Sequence, residues 1–180
     1  MTIVDGVVAA IALQRLLELA YARRNERRLL RLGGQEHGAR HYPLFVLLHA
    51  GWLATVWALA DPNQAIIPLL ALYAALQPLR VWVIASLGPF WTTRVITVPG
   101  APIVQRGPYR LLRHPNYVIA LVEVALLPLA FQLWLTGAAF FVLKLVLLKV
   151  RVDVENDALQ DRRARAACAT TAAPLAGKQS

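Results

Sequence analysis

Arg106-Gly107-Pro108-Tyr109-Arg110-Leu111-Leu112-Arg113-His114-Pro115-Asn116-Tyr117 is a polar, strongly basic stretch set between two long apolar regions. Gly107-Pro108 marks a turn, and Pro115 suits the first turn of a helix, where its missing N–H costs nothing. The segment that follows, Tyr117 to Ala130, is almost wholly apolar. The pattern predicts a stretch lying at a membrane surface, with His114 and Tyr117 at the mouth of a helix that enters the bilayer. A basic juxtamembrane anchor would read the same way on composition alone.

Working outward, the composition supports a membrane protein. The chain of 180 residues is 58% hydrophobic and only 16% charged, and its apolar residues come in long runs. Ile3–Ala22, Pro43–Ala60 and Ala65–Leu87 each approach the roughly 20 residues that cross a bilayer core as a helix. Tyr117–Val150 is long enough for a hairpin of two shorter arms, with Phe131-Gln132-Leu133-Trp134 at the bend and Pro128 helping to end the first arm. The predicted fold is therefore all-α and integral to the membrane, with about five transmembrane helices and a C-terminal helical hairpin. Four spans result if the hairpin dips in without crossing. Residues 1–160 form one domain, and 161–180 read as a disordered cytoplasmic tail.

Charge placement orients these spans. Arginines crowd the linker from Arg23 to Arg40, the stretch from Arg94 to Arg113, and the tail from Arg151 to Arg165. Met1–Asp5, Asp61–Gln64 and Phe131–Thr136 contain no Lys or Arg. With alternating spans every basic segment falls on one side, the cytoplasm, and the N-terminus lies outside. A bacterial inner membrane is the expected location. This bias accounts for the net charge of +9 without nucleic acid, for which no basic repeat or finger spacing speaks. The arginines follow the first apolar run, which reads as a retained anchor and not a cleaved signal. Cys168 is the lone cysteine, so no intramolecular disulfide is expected.

Ionisable residues within spans usually face the protein interior. Gln14, Arg15 and Glu18 are spaced to share one helix face, and read as a self-satisfied group. Glu123 lies at a depth where Arg80 or Lys144 could pair with it. His49 reads as a hydrogen-bonded packing residue. His37 and His41 have the i,i+4 spacing of a metal pair, but Gly33, Gly34 and Gly38 argue against a helix there, and no ligand set completes a site. No metal is expected.

Gly107, Tyr109, Arg113, His114, Pro115 and Tyr117 form the pattern Gly-x-Tyr-x-x-x-Arg-His-Pro-x-Tyr. It resembles the signature of the isoprenylcysteine carboxyl methyltransferase family of integral-membrane, S-adenosylmethionine-dependent enzymes. In that family an arginine followed by an acidic pair comes after the next hairpin, and Arg151-Val152-Asp153-Val154-Glu155-Asn156 stands in that place. The likeness is strongest from about Leu79 to Leu159. It implies a cytoplasmic cofactor site made by Gly107, Tyr109, Leu112, Arg113, His114, Pro115, Tyr117 and Glu155, with Arg113, Arg151 and Glu155 in catalysis. No dinucleotide or phosphate-loop motif offers another scaffold.

A sulfonium cofactor needs an aromatic wall, polar partners, an anion for its ammonium and a cation for its carboxylate, and these residue types supply them. His41, Tyr42 and His49 resemble a His-Tyr-Pro stretch of bacterial members and are expected on the acceptor side together with Arg80. The resemblance implies a lipophilic acceptor arriving from the bilayer. It is either a prenylated cysteine carboxylate or a long-chain polyketide phenol or enol such as an alkylresorcinol or alkylpyrone. Two departures stand out: Asn156 replaces a second glutamate of many members, and the tail lacks a Phe-Gly-x-x-Tyr-type stretch. The competing class is a non-catalytic membrane protein that kept the fold for binding or assembly.

Overall fold

A computed structural model of the chain describes residues 1–37, 42–101, 104 and 106–172, with side chains as far as Ala158. Five helices carry the fold: α1 (Ile3–Arg31), α2 (Tyr42–Leu59), α3 (Ile67–Leu87), α4 (Pro115–Leu129) and α5 (Trp134–Ala172). A two-stranded antiparallel ribbon, β1 (Gln35–His37) and β2 (Val95–Thr97), joins the α1–α2 connection to the segment after α3.

α1 opens with a capping box: Asp5 N donates to Thr2 Oγ1, and Thr2 N donates to the Asp5 carboxylate at 2.7 Å. The apolar run predicts a helix to Ala22, but α1 continues through the basic stretch to Arg31. Arg, Leu and Glu are good helix formers, and no Gly or Pro intervenes until Gly33, whose φ of +81° ends the helix. His37 lies in β1, where its Nε2 is 2.8 Å from Thr97 Oγ1. His41 lies outside the described residues.

Two helical stretches, Tyr42–Leu59 and Ile67–Phe90, are long and apolar enough to cross a membrane, and Pro115–Leu129 is a shorter apolar helix. α4 turns into α5 at Phe131–Leu133, where Leu133 N donates to Pro128 O at 2.9 Å and Gln132 takes a φ of +59°. Three stretches without Lys or Arg meet at one end of the bundle. Ile66 N donates to Ala130 O at 2.7 Å, Gln132 reaches Gln64 O, and Trp57 Nε1 donates to Asp5 at 3.0 Å. The ribbon and the Arg106–Tyr117 stretch occupy the other end, since β1 follows α1 and Tyr117 opens α4.

The distribution of polarity is inverted relative to a soluble domain. Leu17 is 64% exposed and Leu47 66%, while Glu123 is 1% and Lys144 3% exposed. Leucines, valines and tryptophans project from all five helices. Unpartnered apolar faces of that extent, around a charged interior, suit lipid and not water. The apolar core, at the end away from the ribbon, joins Val4 and Ile11 to Trp52, Val56, Tyr73, Val124, Leu127 and Phe131.

Candidate functional site

The site is built where the end of α3, the basic stretch and α5 meet. Arg106 Nε donates to Ser86 O at 2.7 Å, satisfying a carbonyl in the last turn of α3. Gly107 follows with a φ of +56°, and a Cβ there would collide with Ser86 Oγ and lie 3.4 Å from Trp82 Nε1. The chain can therefore press against α3 only at a glycine. A single 3-10 turn, Gly107–Arg110, leads to His114 at the N-cap and Pro115 at the first position of α4.

This geometry delivers His114 and Tyr117 to one face. Their rings stack with centroids 5.0 Å apart and an interplanar angle of 5°. The Tyr117 hydroxyl accepts from Arg151 Nε at 2.9 Å and donates to Glu155 Oε2 at 2.8 Å. Arg151 and Glu155, one helical turn apart, are thus joined through a phenol in place of a direct ion pair. Arg151 is fixed further by its Nη1, which donates to Thr93 O at 2.6 Å, and its guanidinium lies 5.7 Å from the centroids of both Phe45 and Tyr117.

Thr93 is itself anchored from α1. Its N and Oγ1 donate to Glu26 Oε1 at 3.2 and 2.8 Å, and Asn25 Nδ2 donates to the carbonyls of Gly88 and Trp91. The extension of α1 beyond its apolar run is what holds the loop that holds Arg151.

Burial keeps the His114 imidazole below its ordinary titration range; Arg113 and Arg151 push the same way, against the pull of Glu155. At neutral pH His114 is therefore neutral, and its 3.9 Å approach to Glu155 is a polar contact without a full ion pair. Burial likewise raises the Tyr109 hydroxyl, which stays protonated as a donor.

His114, Tyr117, Arg151 and Glu155 come together, with Gly107 and Tyr109 in the turn beside them. Leu112 and Arg113 are exposed, and Arg113 pairs with no described residue. Pro115 is buried at the helix start. Tyr42 lies under Arg94, 5.2 Å from its guanidinium, at the ribbon. His49 and Arg80 lie deeper, inside the bundle. Phe45 and Thr93 were not legible as site residues. Phe45 is one turn before His49 on the same face of α2, a spacing that could have flagged it, whereas Thr93 acts through its backbone carbonyl and leaves no side-chain signal.

Below the site, four charged side chains from three helices form a closed network. Arg80 donates to Glu18 at 2.6 Å and to Glu123 at 3.0 Å, and Arg15 donates to Glu18 at 3.0 Å and to Glu123 at 2.8 Å. Gln14 extends it by donating to Glu18 and to Gln77. The expected pairing of Glu123 is thus met by Arg80 and not by Lys144. Arg15 Nε, Glu123 Oε1 and the Tyr73 hydroxyl are buried without a partner among the described residues.

A donor set of two stacked rings, a carboxylate and a guanidinium fits a sulfonium amino-acid cofactor. The carboxylate suits its ammonium and the ring faces its cation. The chain is 34% identical over 160 residues to the uncharacterized protein YpbQ of Bacillus subtilis (strain 168), covering 86% of this chain and 95% of that one. It is 26% identical over 166 residues to an uncharacterized protein of Haemophilus influenzae, covering 88% and 96% respectively. No solved structure matches. The family model for isoprenylcysteine carboxyl methyltransferases matches residues 69–161, which include α4, the Tyr117 bridge and both of its partners. The chain belongs to the isoprenylcysteine carboxyl methyltransferase (ICMT) family.

Proposed function

We propose that the protein is an S-adenosylmethionine-dependent O-methyltransferase that acts on a lipophilic acceptor at the cytoplasmic rim of the membrane. The observation that carries this reading is the Tyr117 hydroxyl, which bridges Arg151 and Glu155 beneath the His114 ring. It unites the two sequence elements of a methyltransferase family in one partly buried cluster. When bound, S-adenosylmethionine supplies an activated methyl group on a sulfonium. Glu155 would hold its ammonium and Arg113 its carboxylate. Tyr109, His114 and Tyr117 would form the wall, with the main chain at Gly107, Leu112 and Pro115 beside it.

Methyl transfer is an in-line displacement, so these residues act chiefly by alignment and by keeping the site dry. Arg151, held at three points, faces the acceptor oxygen. The apolar outer faces of α2 and α5 let an acceptor approach from the bilayer, whether a prenylated cysteine carboxylate or a long-chain polyketide enol or phenol. His49 and Tyr42, both on α2, are assigned to that side.

Calorimetry with S-adenosylhomocysteine tests the reading. The purified protein should bind it with micromolar-range affinity. His114→Ala and Tyr117→Ala should each weaken binding about tenfold or more, equivalent to about 1.4 kcal/mol. Absence of binding to well-folded wild type would return the chain to a binding or assembly role.

The arrangement also bears on orientation. The stretches without Lys or Arg gather at one end and the arginine-rich ones at the other, which supports five alternating spans with the N-terminus outside. A reporter fused after Lys178 should read cytoplasmic, and one inserted within Asp61–Gln64 exterior. The same side for both would refute that topology.

A further inference from the structure

The methyltransferase site leaves the arginines of α1 unused. Leu13, Leu17, Tyr21, Arg24, Arg28 and Arg31 follow one another at intervals of three or four residues, so they form a single stripe along that helix. Its first part is apolar and open: Leu13 is 59% and Leu17 64% exposed. Tyr21 stands at the end of the apolar run, and the arginines lie beyond it. There the stripe borders a cavity of about 500 Å³ lined by Tyr21, Arg24, Asn25, Arg28, Arg31 and Pro89. Its far wall is pinned in place. Asn25 Nδ2 donates to Gly88 O at 3.1 Å and to Trp91 O at 2.9 Å, which holds the turn carrying Pro89 against α1.

No carboxylate lines this cavity. Glu18, Glu26 and Glu36, the acidic residues of this part of the chain, are engaged by Arg80, Thr93 and Arg94. Among the described residues Arg24 and Arg28 have no ion-pair partner, and Arg31 donates to the Arg27 carbonyl at 3.2 Å. The partial negative charge at the end of α1 amounts to about half a unit, so it offsets only a fraction of this positive wall. We infer that the cavity binds the head group of an anionic phospholipid of the cytoplasmic leaflet. Its phosphate would sit on Arg24 and Arg28, one turn apart, and an acyl chain would run along Leu17 and Leu13. Leucine, tyrosine and arginine succeed one another along the stripe as acyl chain, ester region and phosphate do on leaving a bilayer. A free phosphate would use the arginines and leave the leucines bare. The inference goes beyond the methyltransferase reading and rests only on α1 crossing the membrane with its arginine end cytoplasmic.

The test titrates the full-length protein in a non-ionic detergent with dioleoyl phosphatidylglycerol or dioleoyl phosphatidylcholine, and counts retained lipid by native mass spectrometry. Wild type should hold one phosphatidylglycerol about tenfold more tightly than phosphatidylcholine. Arg24→Gln with Arg28→Gln should lose that preference. Arg23→Gln with Arg27→Gln removes the same charge from the same end of α1, outside the cavity, and should keep it. Arg28→Gln alone serves if the first pair does not fold, and should lose most of the preference. Equal affinity of wild type for the two lipids overturns the inference. An equal loss in both double variants does so too, since it would mark a diffuse field of arginines and no site. Displacement of the lipid by an equal concentration of glycerol 1-phosphate would make this a site for a soluble phosphate and overturn the lipid assignment. Wild type that selects phosphatidylglycerol but does not bind S-adenosylhomocysteine overturns the methyltransferase reading and leaves the lipid site standing.

Discussion

Glu155→Ala should cost the protein about 10–100-fold in S-adenosylhomocysteine affinity, the value of one or two charge-assisted hydrogen bonds at about 1.5–3 kcal/mol. Arg151→Ala should leave that affinity closer to wild type and reduce turnover about a hundredfold, the scale expected when reacting atoms are misaligned. The difference follows from the geometry. Glu155 is partly open and accepts from Tyr117, leaving capacity for an ammonium, whereas Arg151 is clamped by Tyr117 and Thr93 and faces Phe45. Tyr117→Phe separates the two roles, because it removes the bridging hydroxyl and keeps the ring stacked on His114. Asp153 is exposed on another face of α5 and should tolerate alanine. The measurement is methyl transfer from labelled S-adenosylmethionine to membrane lipid extracts, beside calorimetry on each variant. Wild-type turnover in well-folded Arg151→Ala would refute the assignment.

The largest effect on stability is expected at Glu123. Removing its carboxylate leaves Arg15 and Arg80 sharing Glu18 alone, in an interior that cannot solvate the surplus charge. Breaking one partner from a buried ion network costs about 3–5 kcal/mol. Glu123→Ala should accordingly unfold at much lower temperature in detergent, or fail to accumulate in membranes. Glu123→Leu combined with Arg80→Met removes one charge of each sign and should recover part of the loss, since a neutral apolar pair avoids the desolvation penalty. A single variant within about 1 kcal/mol of wild type would mean that the network is solvated in the folded protein.

How far the sequence could be read depends on whether an interaction is local. Gln14, Arg15 and Glu18 share a face and touch one another as their spacing predicts, but they are not self-satisfied: Gln77, Glu123 and Arg80 from other helices complete their bonding. The hairpin bend at Phe131–Trp134 was legible from polarity and Pro128. Gly107-Pro108 and His114-Pro115 announced a turn and a helix start, and both are present. Depth in a span narrows a distant partner without selecting it, so Arg80 and Lys144 were equal candidates for Glu123 until packing chose Arg80. The three-residue strands were too short to leave a period. The role of residues 23–31 was hidden because arginines suited to a membrane-facing linker are equally good helix formers. Nothing local says that Asn25 and Glu26 will grip a loop more than sixty residues away.

The closed network of Arg15, Glu18, Arg80 and Glu123 also constrains how the protein is made. Glu18 meets Arg80 across 62 residues of chain, and Arg15 meets Glu123 across 108. At a synthesis rate of about 5–20 residues per second, α1 waits roughly 5–20 s for the last of its partners to be translated. Until α3 brings Arg80, Arg15 and Glu18 have only each other and Gln14, and hydrocarbon is a poor place to wait. On the five-span reading, α1 should linger beside the insertion machinery and be released into lipid only once α4 arrives.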